Sequence, residues 1–253
     1  MKNIKSKNYI LCLETTSKIC GVAIICNDKI LYENNLDKGL NHSITLFDNI
    51  DIALKKTKLT MRDIDVIKVS NGPGSFTGLR IGIAAALGLS EPYNTNIEYV
   101  DTLDSLAYNV VKNVNHVGDY AKSLHVRSNI KNSHINKHFI ISMIDARVDR
   151  VYISLYNGDA LEKLSIDSIL TIDNLCDSLN KYFSNKNVEF IFVGSGAVTY
   201  KNVFKTKLKI NYKICEKCSN LCASSLAFTN GAISEVPFTN YLLASKAERE
   251  RKQ

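Results

Sequence analysis

No stretch of about 18 consecutive apolar residues occurs in the 253-residue chain, so nothing in it reads as a membrane-spanning helix. No secretory leader is expected either. Met1 to Asn8 is polar, and the apolar stretch behind it meets Glu14 after five residues, too short for the core of a signal peptide. Proline (three residues) and glycine (twelve) are too scarce for a collagen-like or low-complexity chain. With 45% apolar and 23% charged residues the composition is that of a globular protein able to bury a core. At about 150 residues per domain the length gives one large domain or two small ones. Seven cysteines without an export signal are expected as reduced thiols in a cytoplasm.

Cys12, Cys20 and Cys26 fall in apolar runs and are expected as small core groups. Cys215, Cys218 and Cys222 have a C-x2-C-x3-C spacing that could offer three thiolates to a metal, but no fourth ligand stands nearby. His134 and His138 share an H-x3-H spacing in a segment with little helical character, and structural roles are favoured over metal binding for both sets. The formal charge of +7 is unevenly placed: +3 in residues 1–7, +4 in 112–138 and +2 in 246–253, leaving −2 elsewhere. Basic ends and one basic polar stretch read as solvated segments rather than a nucleic-acid groove.

Tyr9 to Glu14, Cys20 to Cys26 and Ile30 to Glu33 are apolar runs separated by Thr15-Thr16-Ser17 and Asn27-Asp28, the pattern of an antiparallel meander. His42 to Lys56 carries Ile44, Leu46, Phe47, Ile50, Ala53 and Leu54 at helical spacing. Ile64 to Ser70 is strand-like and runs into Asn71-Gly72-Pro73-Gly74-Ser75-Phe76-Thr77-Gly78. Leu79 to Ser90 follows, apolar on nearly every side. A helix of that kind is covered by more than its own sheet. Residues 112–138 read as a polar surface insertion.

The pattern then echoes. Ile140 to Asp145 is again a strand ending in an acid, Val151 to Tyr156 its hairpin mate ending at Asn157-Gly158. Val188 to Val193 runs into Gly194-Ser195-Gly196-Ala197 as Ile64 to Ser70 runs into Gly72. Two copies of one mixed α/β unit are expected to face each other across a cleft with both acids and both glycine loops turned inward, where open α/β sheets place their ligands. A strand, a glycine turn and a helix start make a generic anion site. No Lys follows Gly78, however, and the glycine spacing is not that of a dinucleotide fingerprint. Glu14, Thr15, Thr16, Gly72, Gly74 and Ser75 are the candidate nucleotide or anion contacts. The competing reading is a tight turn with glycines for close helix packing and hydroxyls bonded locally.

Sixteen residues, IKVSNGPGSFTGLRIG at 67–82, resemble the signature of the TsaB (YeaZ) family, a subunit of the bacterial machinery that makes threonylcarbamoyladenosine in tRNA. ILCLETTS at 10–17, NHSITLFDNIDIAL at 41–54, VDTLDSLA at 100–107, MIDARVDRVYISLY at 143–156, VGSGA at 193–197 and Pro237 with Tyr241-Leu242 extend the resemblance over most of the chain. Glu14 stands where the family usually has Asp, and Leu243 where Arg is usual.

The resemblance implies an actin-like, Hsp70-like α/β fold of two duplicated mixed-sheet lobes. The first lobe is expected over 1–107 with the segment from about 222 to 253 returning to it, and the second over 108–221. It implies a non-catalytic cytoplasmic scaffold with no cofactor of its own. ATP or ADP and the metal are expected at partner subunits or their interface. The implied partners are the catalytic subunit TsaD, the ATPase TsaE, tRNA through the complex and a second copy when isolated. The partner interface is expected on the two helices, at Leu46, Phe47, Ile50, Leu54, Phe76, Leu79, Arg80, Ile83 and Leu87. The rival readings are an ATP-using enzyme built on Glu14, Asp145 and the glycine loops, a metallopeptidase, and a tRNA-binding module using the basic segments.

Overall fold

The structure is a computed structural model that describes residues 7–37, 42–116, 137–158, 161–233 and 239–240. The chain divides into two compact units, residues 1–105 with 221–253 (lobe one) and residues 106–220 (lobe two).

Lobe one opens with the meander the apolar runs predict: β1 Tyr9–Glu14, β2 Ile19–Cys26 and β3 Lys29–Asp37, each antiparallel to the last. Asn27 and Asp28 both take positive φ, 46° and 67°, the two-residue turn whose twist suits a hairpin. Helix α1 (His42–Thr57) follows, then β4 (Val66–Gly72), α2 (Phe76–Ser90), β5 (Asn96–Asp101) and α3 (Thr102–His116), which carries the chain into lobe two. β4 lies parallel to both β1 and β5.

Alternation along the strands sorts two cores. Leu11, Leu13, Val22, Ile24, Ile67 and Val69 meet Leu46, Ile50 and Ala53 of α1 and Ile83, Ala85 and Ala86 of α2 on one face. Cys12, Ala23, Ile25 and Val100 face the other way.

Lobe two repeats the plan with β6 (Lys137–Arg147), β7 (Arg150–Asn157), β8 (Ser168–Thr171), α4 (Ile172–Phe183), β9 (Val188–Val193), the short helices α5 (Ser195–Thr199) and α6 (Lys201–Lys207), and β10 (Asn211–Ile214). The chain then supplies α7 (Ala223–Ala227) and β11 (Gly231–Ile233) to lobe one, where Ala223 and Leu226 close the second core and β11 pairs with β5. The sheet orders are β11-β5-β4-β1-β2-β3 and β10-β9-β6-β7-β8. Without β11, both read fifth, fourth, first, second, third. Lobe two packs aromatically: Phe139, Phe183, Phe190, Phe192, Phe204 and Tyr212 form a chain of ring contacts with centroids 4.9–6.5 Å apart.

Three expectations are corrected. The polar stretch 112–138 is not all loop: its start belongs to α3 as far as His116 and its end, from Lys137, to β6. Residues between those ends lie outside the described residues, His134 among them, and so do Pro237, Tyr241, Leu242 and Leu243. Cys215 and Cys218 are joined as a disulfide, not held as reduced thiols. The single helical turn Glu216–Cys218 brings their Cα atoms to 5.3 Å, within bonding range. With two of the three sulfurs so committed, no three-thiolate set remains. Third, the strand expected to end at Asp145 continues through Arg147.

Candidate functional site

The first glycine loop is a packing device. Gly72 ends β4 at φ 109°, a conformation open to glycine, and a side chain there would strike the carbonyl oxygen of Asn240. Ser75 caps α2, its side chain accepting from Gly78 N, while its own N–H donates to Thr16 O at 2.7 Å. Thr15 lies in the notch between Gly78 and Gly82. Its Oγ1 donates to Gly78 O at 2.7 Å, and a Cβ on either glycine would collide with Thr15. Glycine at 78 and 82 therefore lets the helix sit directly on the first turn.

Glu14 is wholly buried, and its carboxylate is taken up from within the lobe. Oε1 accepts from Thr16 N at 2.7 Å and Thr16 Oγ1 at 2.5 Å, and Oε2 from Ser70 Oγ. Charge-assisted bonds of this kind make a buried carboxylate tolerable. Glu14, Thr15, Thr16, Gly72, Gly74 and Ser75 are thus brought together, and their polar groups close on one another. The donor that would greet a phosphate at Ser75 N is spent on Thr16 O.

The second loop is more open. Asp145 is half-buried; its N–H donates to Ser195 Oγ, while Oδ1 accepts from Arg147 N at 2.9 Å and Tyr200 Oη at 3.4 Å. Burial and then the Asp145 carboxylate push the Tyr200 phenol up from its ordinary pKa. Gly194 repeats φ 109°, and its N–H donates to Ser219 Oγ, which in turn donates to the carbonyl of Cys215 in the disulfide turn.

The expected interface residues divide between inside and outside. Leu46, Ile50, Leu79 and Ile83 are corrected: all four are buried within the lobe, because they point from α1 and α2 onto their own sheet. Leu54 is partly covered in the same way. Phe47 (50% exposed) and Leu87 (38%) do face outward, as does Arg80, whose guanidinium lies 3.9 Å from the centroid of the half-buried Phe76 ring. Ile44 (69%) and Ile52 (44%) join them on α1, and Ala84 and Gly88 on α2. Ile52 is the residue that a reading of one stripe misses. Its signal is the i, i+3, i+8 spacing of Ile44, Phe47 and Ile52, offset from the buried stripe of Leu46, Ile50 and Ala53.

Two five-strand mixed sheets of the same order, each with an acid at its first turn and a positive-φ glycine behind its fourth strand, define the actin-like ATPase fold. Here the first anion loop is folded shut. A family model described as TsaD: tRNA N6-adenosine threonylcarbamoyltransferase matches residues 38–248. The tRNA threonylcarbamoyladenosine biosynthesis protein TsaB of Bacillus subtilis (strain 168) is 25% identical over 205 residues, covering 79% of this chain and 76% of that protein. TsaB of Buchnera aphidicola subsp. Baizongia pistaciae is 27% identical over 200 residues, covering 78% and 79%. A Pseudomonas aeruginosa crystal structure described as an uncharacterized protein with similarity to peptidase YEAZ superposes with TM-score 0.68 at 19% identity over 93% of this chain and all of that one, which shows the shared fold. The chain belongs to this family, and within it to the TsaB (YeaZ) group. Among the described residues no three His, Cys, Asp or Glu side chains are grouped to hold a metal ion, and no helix is long and apolar enough to cross a membrane.

Proposed function

We propose that this chain is the scaffold subunit of the assembly that forms N6-threonylcarbamoyladenosine at position 37 of tRNA. It works by docking the catalytic TsaD subunit on the outward face of α1 and α2. The observation that carries this reading is the placement of Ile44, Phe47, Ile52 and Leu87, large apolar groups left outward on neighbouring helices whose inner faces are fully used. Two helices presenting such a face suit two helices of a partner in four-helix packing. Phe47, Phe76, Arg80 and Leu87 remain in the proposed interface, now with Ile44 and Ile52. TsaE, nucleotide and metal belong to the partner side, tRNA is reached through the complex, and the same face accounts for a homodimer when TsaD is absent.

The test is co-purification of the full chain with TsaD. Phe47→Asp together with Leu87→Asp should weaken the complex at least about tenfold while leaving the thermal midpoint within a degree or two, since neither side chain is in the core. Retained binding by a folded double variant would end the docking assignment.

A further inference from the structure

Arg80 is the one charged residue of α2, a helix otherwise apolar or small apart from Thr77 and Ser90. It is exposed, and it lies on the outward stripe of that helix with Thr77, Ala84, Leu87 and Gly88, at i, i+3, i+7, i+10 and i+11. Ala84 and Gly88 are small, so the axis of a covering helix can come close beside it.

The guanidinium lies 3.9 Å from the centroid of the Phe76 ring, one turn back, in the direction that helical side chains lean. That contact orients the group and satisfies none of its five N–H donors. No acid of the chain completes it. The first turn of α2 holds no acidic residue, and among the described residues Arg80 has neither an ion pair nor a hydrogen bond. Phe76 opens α2, so the charge rests over the positive end of the helix dipole, where a cation is disfavoured. Neither the packing of α2 nor its dipole accounts for an arginine here.

Docking changes what that charge costs. A partner that covers the outward stripe strips water from Arg80, and a cation taken out of water without a counter-charge is strongly unfavourable. The planar fork of donors matches a carboxylate through two parallel bonds. We propose that Arg80, oriented over Phe76, receives a carboxylate of the docked partner and is the residue by which α2 selects and registers that partner. The inference rests on the docking reading. Its occupant is the catalytic TsaD subunit, entering with an Asp or Glu side chain on the helix that covers Thr77, Arg80 and Ala84. Phe47 and Leu87 supply apolar area, and Arg80 supplies specificity.

The experiment is titration of TsaD with the full chain at low and at high ionic strength. Arg80→Met keeps an apolar stem and removes the charge. It should weaken the complex at least about tenfold, leave the thermal midpoint within a degree or two, and lose most of the salt dependence that the unaltered chain shows. Arg80→Glu should bind more weakly still, and Arg80→Lys, which keeps the charge without the fork, should fall between Arg80→Met and the unaltered chain. Affinity of Arg80→Met within about twofold of the unaltered chain would overturn the proposal. A loss that leaves the salt dependence untouched would overturn it as well, since packing and not charge would then be at work. The two readings fail separately: should Arg80→Met bind normally while Phe47→Asp with Leu87→Asp does not, the carboxylate contact falls and docking stands, and normal binding by both ends docking too.

Discussion

The two lobes are built on one sheet order and place their side chains differently. In each, a glycine at φ 109° stands at the end of the fourth strand or just after it, Gly72 and Gly194, and in each an acid stands at or near the end of the first, Glu14 and Asp145. The backbone repeat is close. Yet Glu14 is enclosed by Thr16 and Ser70, whereas Asp145 stays half-buried. Lobe two turns Phe190, Phe192 and Phe204 into its core, while lobe one fills its larger core cluster mainly with aliphatic residues, Tyr99 being its one buried aromatic among the described residues, and leaves Phe47 half in solvent. A large aromatic on the outside of a helix that already has a complete inner face contributes little to folding. The contrast therefore separates lobe two, whose phenylalanines are used for cohesion, from lobe one, whose outward apolar groups are available to another protein.

Substituting one phenylalanine from each lobe tests this contrast most severely. Phe192→Ala should cost about 3–5 kcal/mol, because it empties a ring site flanked by Phe190, Phe204 and Tyr212. Phe47→Ala should stay within about 0.5 kcal/mol and act on assembly instead. Urea unfolding of both variants checks the pair. Comparable losses would mean that the exposed phenylalanine holds lobe one together and that the division drawn here is wrong.

The closed loop of lobe one gives the next largest effect. Gly78→Ala sets a methyl group against the carbonyl of Thr15, a backbone atom that cannot swing aside. A loss of about 1–3 kcal/mol is expected from overpacking. If instead the variant folds with unchanged midpoint in chemical denaturation, the turn Thr15-Thr16 is not held against α2 as described.

Much of this architecture is legible in the amino-acid order. The meander shows in the apolar runs that Asn27-Asp28 separates, and both glycine loops follow short runs rich in β-branched or aromatic residues. What α1 and α2 do with their two sides is not legible, for a physical reason. Apolar residues surround much of each helix, so periodicity cannot say which side meets the sheet; Leu46 and Phe47 are adjacent in sequence and opposite in fate. Distant contacts are equally hidden. Nothing local predicts that Asn240 donates its backbone N–H to Asn71 O across the sequence. Glu14 could be read either as a nucleotide contact or as a locally satisfied turn, and only the position of Ser70 on β4 decides it.

Each lobe also hides a thiol, and here the two should behave alike. Burial, then Glu14, pushes Cys20 up to about 11, and burial, then Asp173, does the same for Cys176, also to about 11. A raised thiol keeps its proton in the folded chain where the unfolded chain has lost it. Stability is therefore fully present below about pH 9 and declines as pH rises towards 11, by about 1 kcal/mol per thiol between pH 9 and 10. Thermal midpoints across that range should flatten by similar amounts in Cys20→Ala and Cys176→Ala. A response confined to one variant would make burial in the two lobes unequal.

The smallest effect bears most directly on docking. Gly88 lies on the exposed side of α2 beside Leu87, and an added Cβ would meet nothing within 4 Å among the described residues. Nothing in the packing of the described residues requires glycine there, and helix propensity alone predicts that Gly88→Ala stabilises the fold by about 1 kcal/mol. A glycine kept at a cost to its own helix makes sense where another backbone comes close. Gly88→Ala should then raise the midpoint of unfolding and lower the affinity for TsaD in the same preparation. Stability and assembly moving in opposite directions at one residue would locate the partner over α2. A gain in stability with binding intact would instead shift the docked surface towards α1, onto Ile44, Phe47 and Ile52.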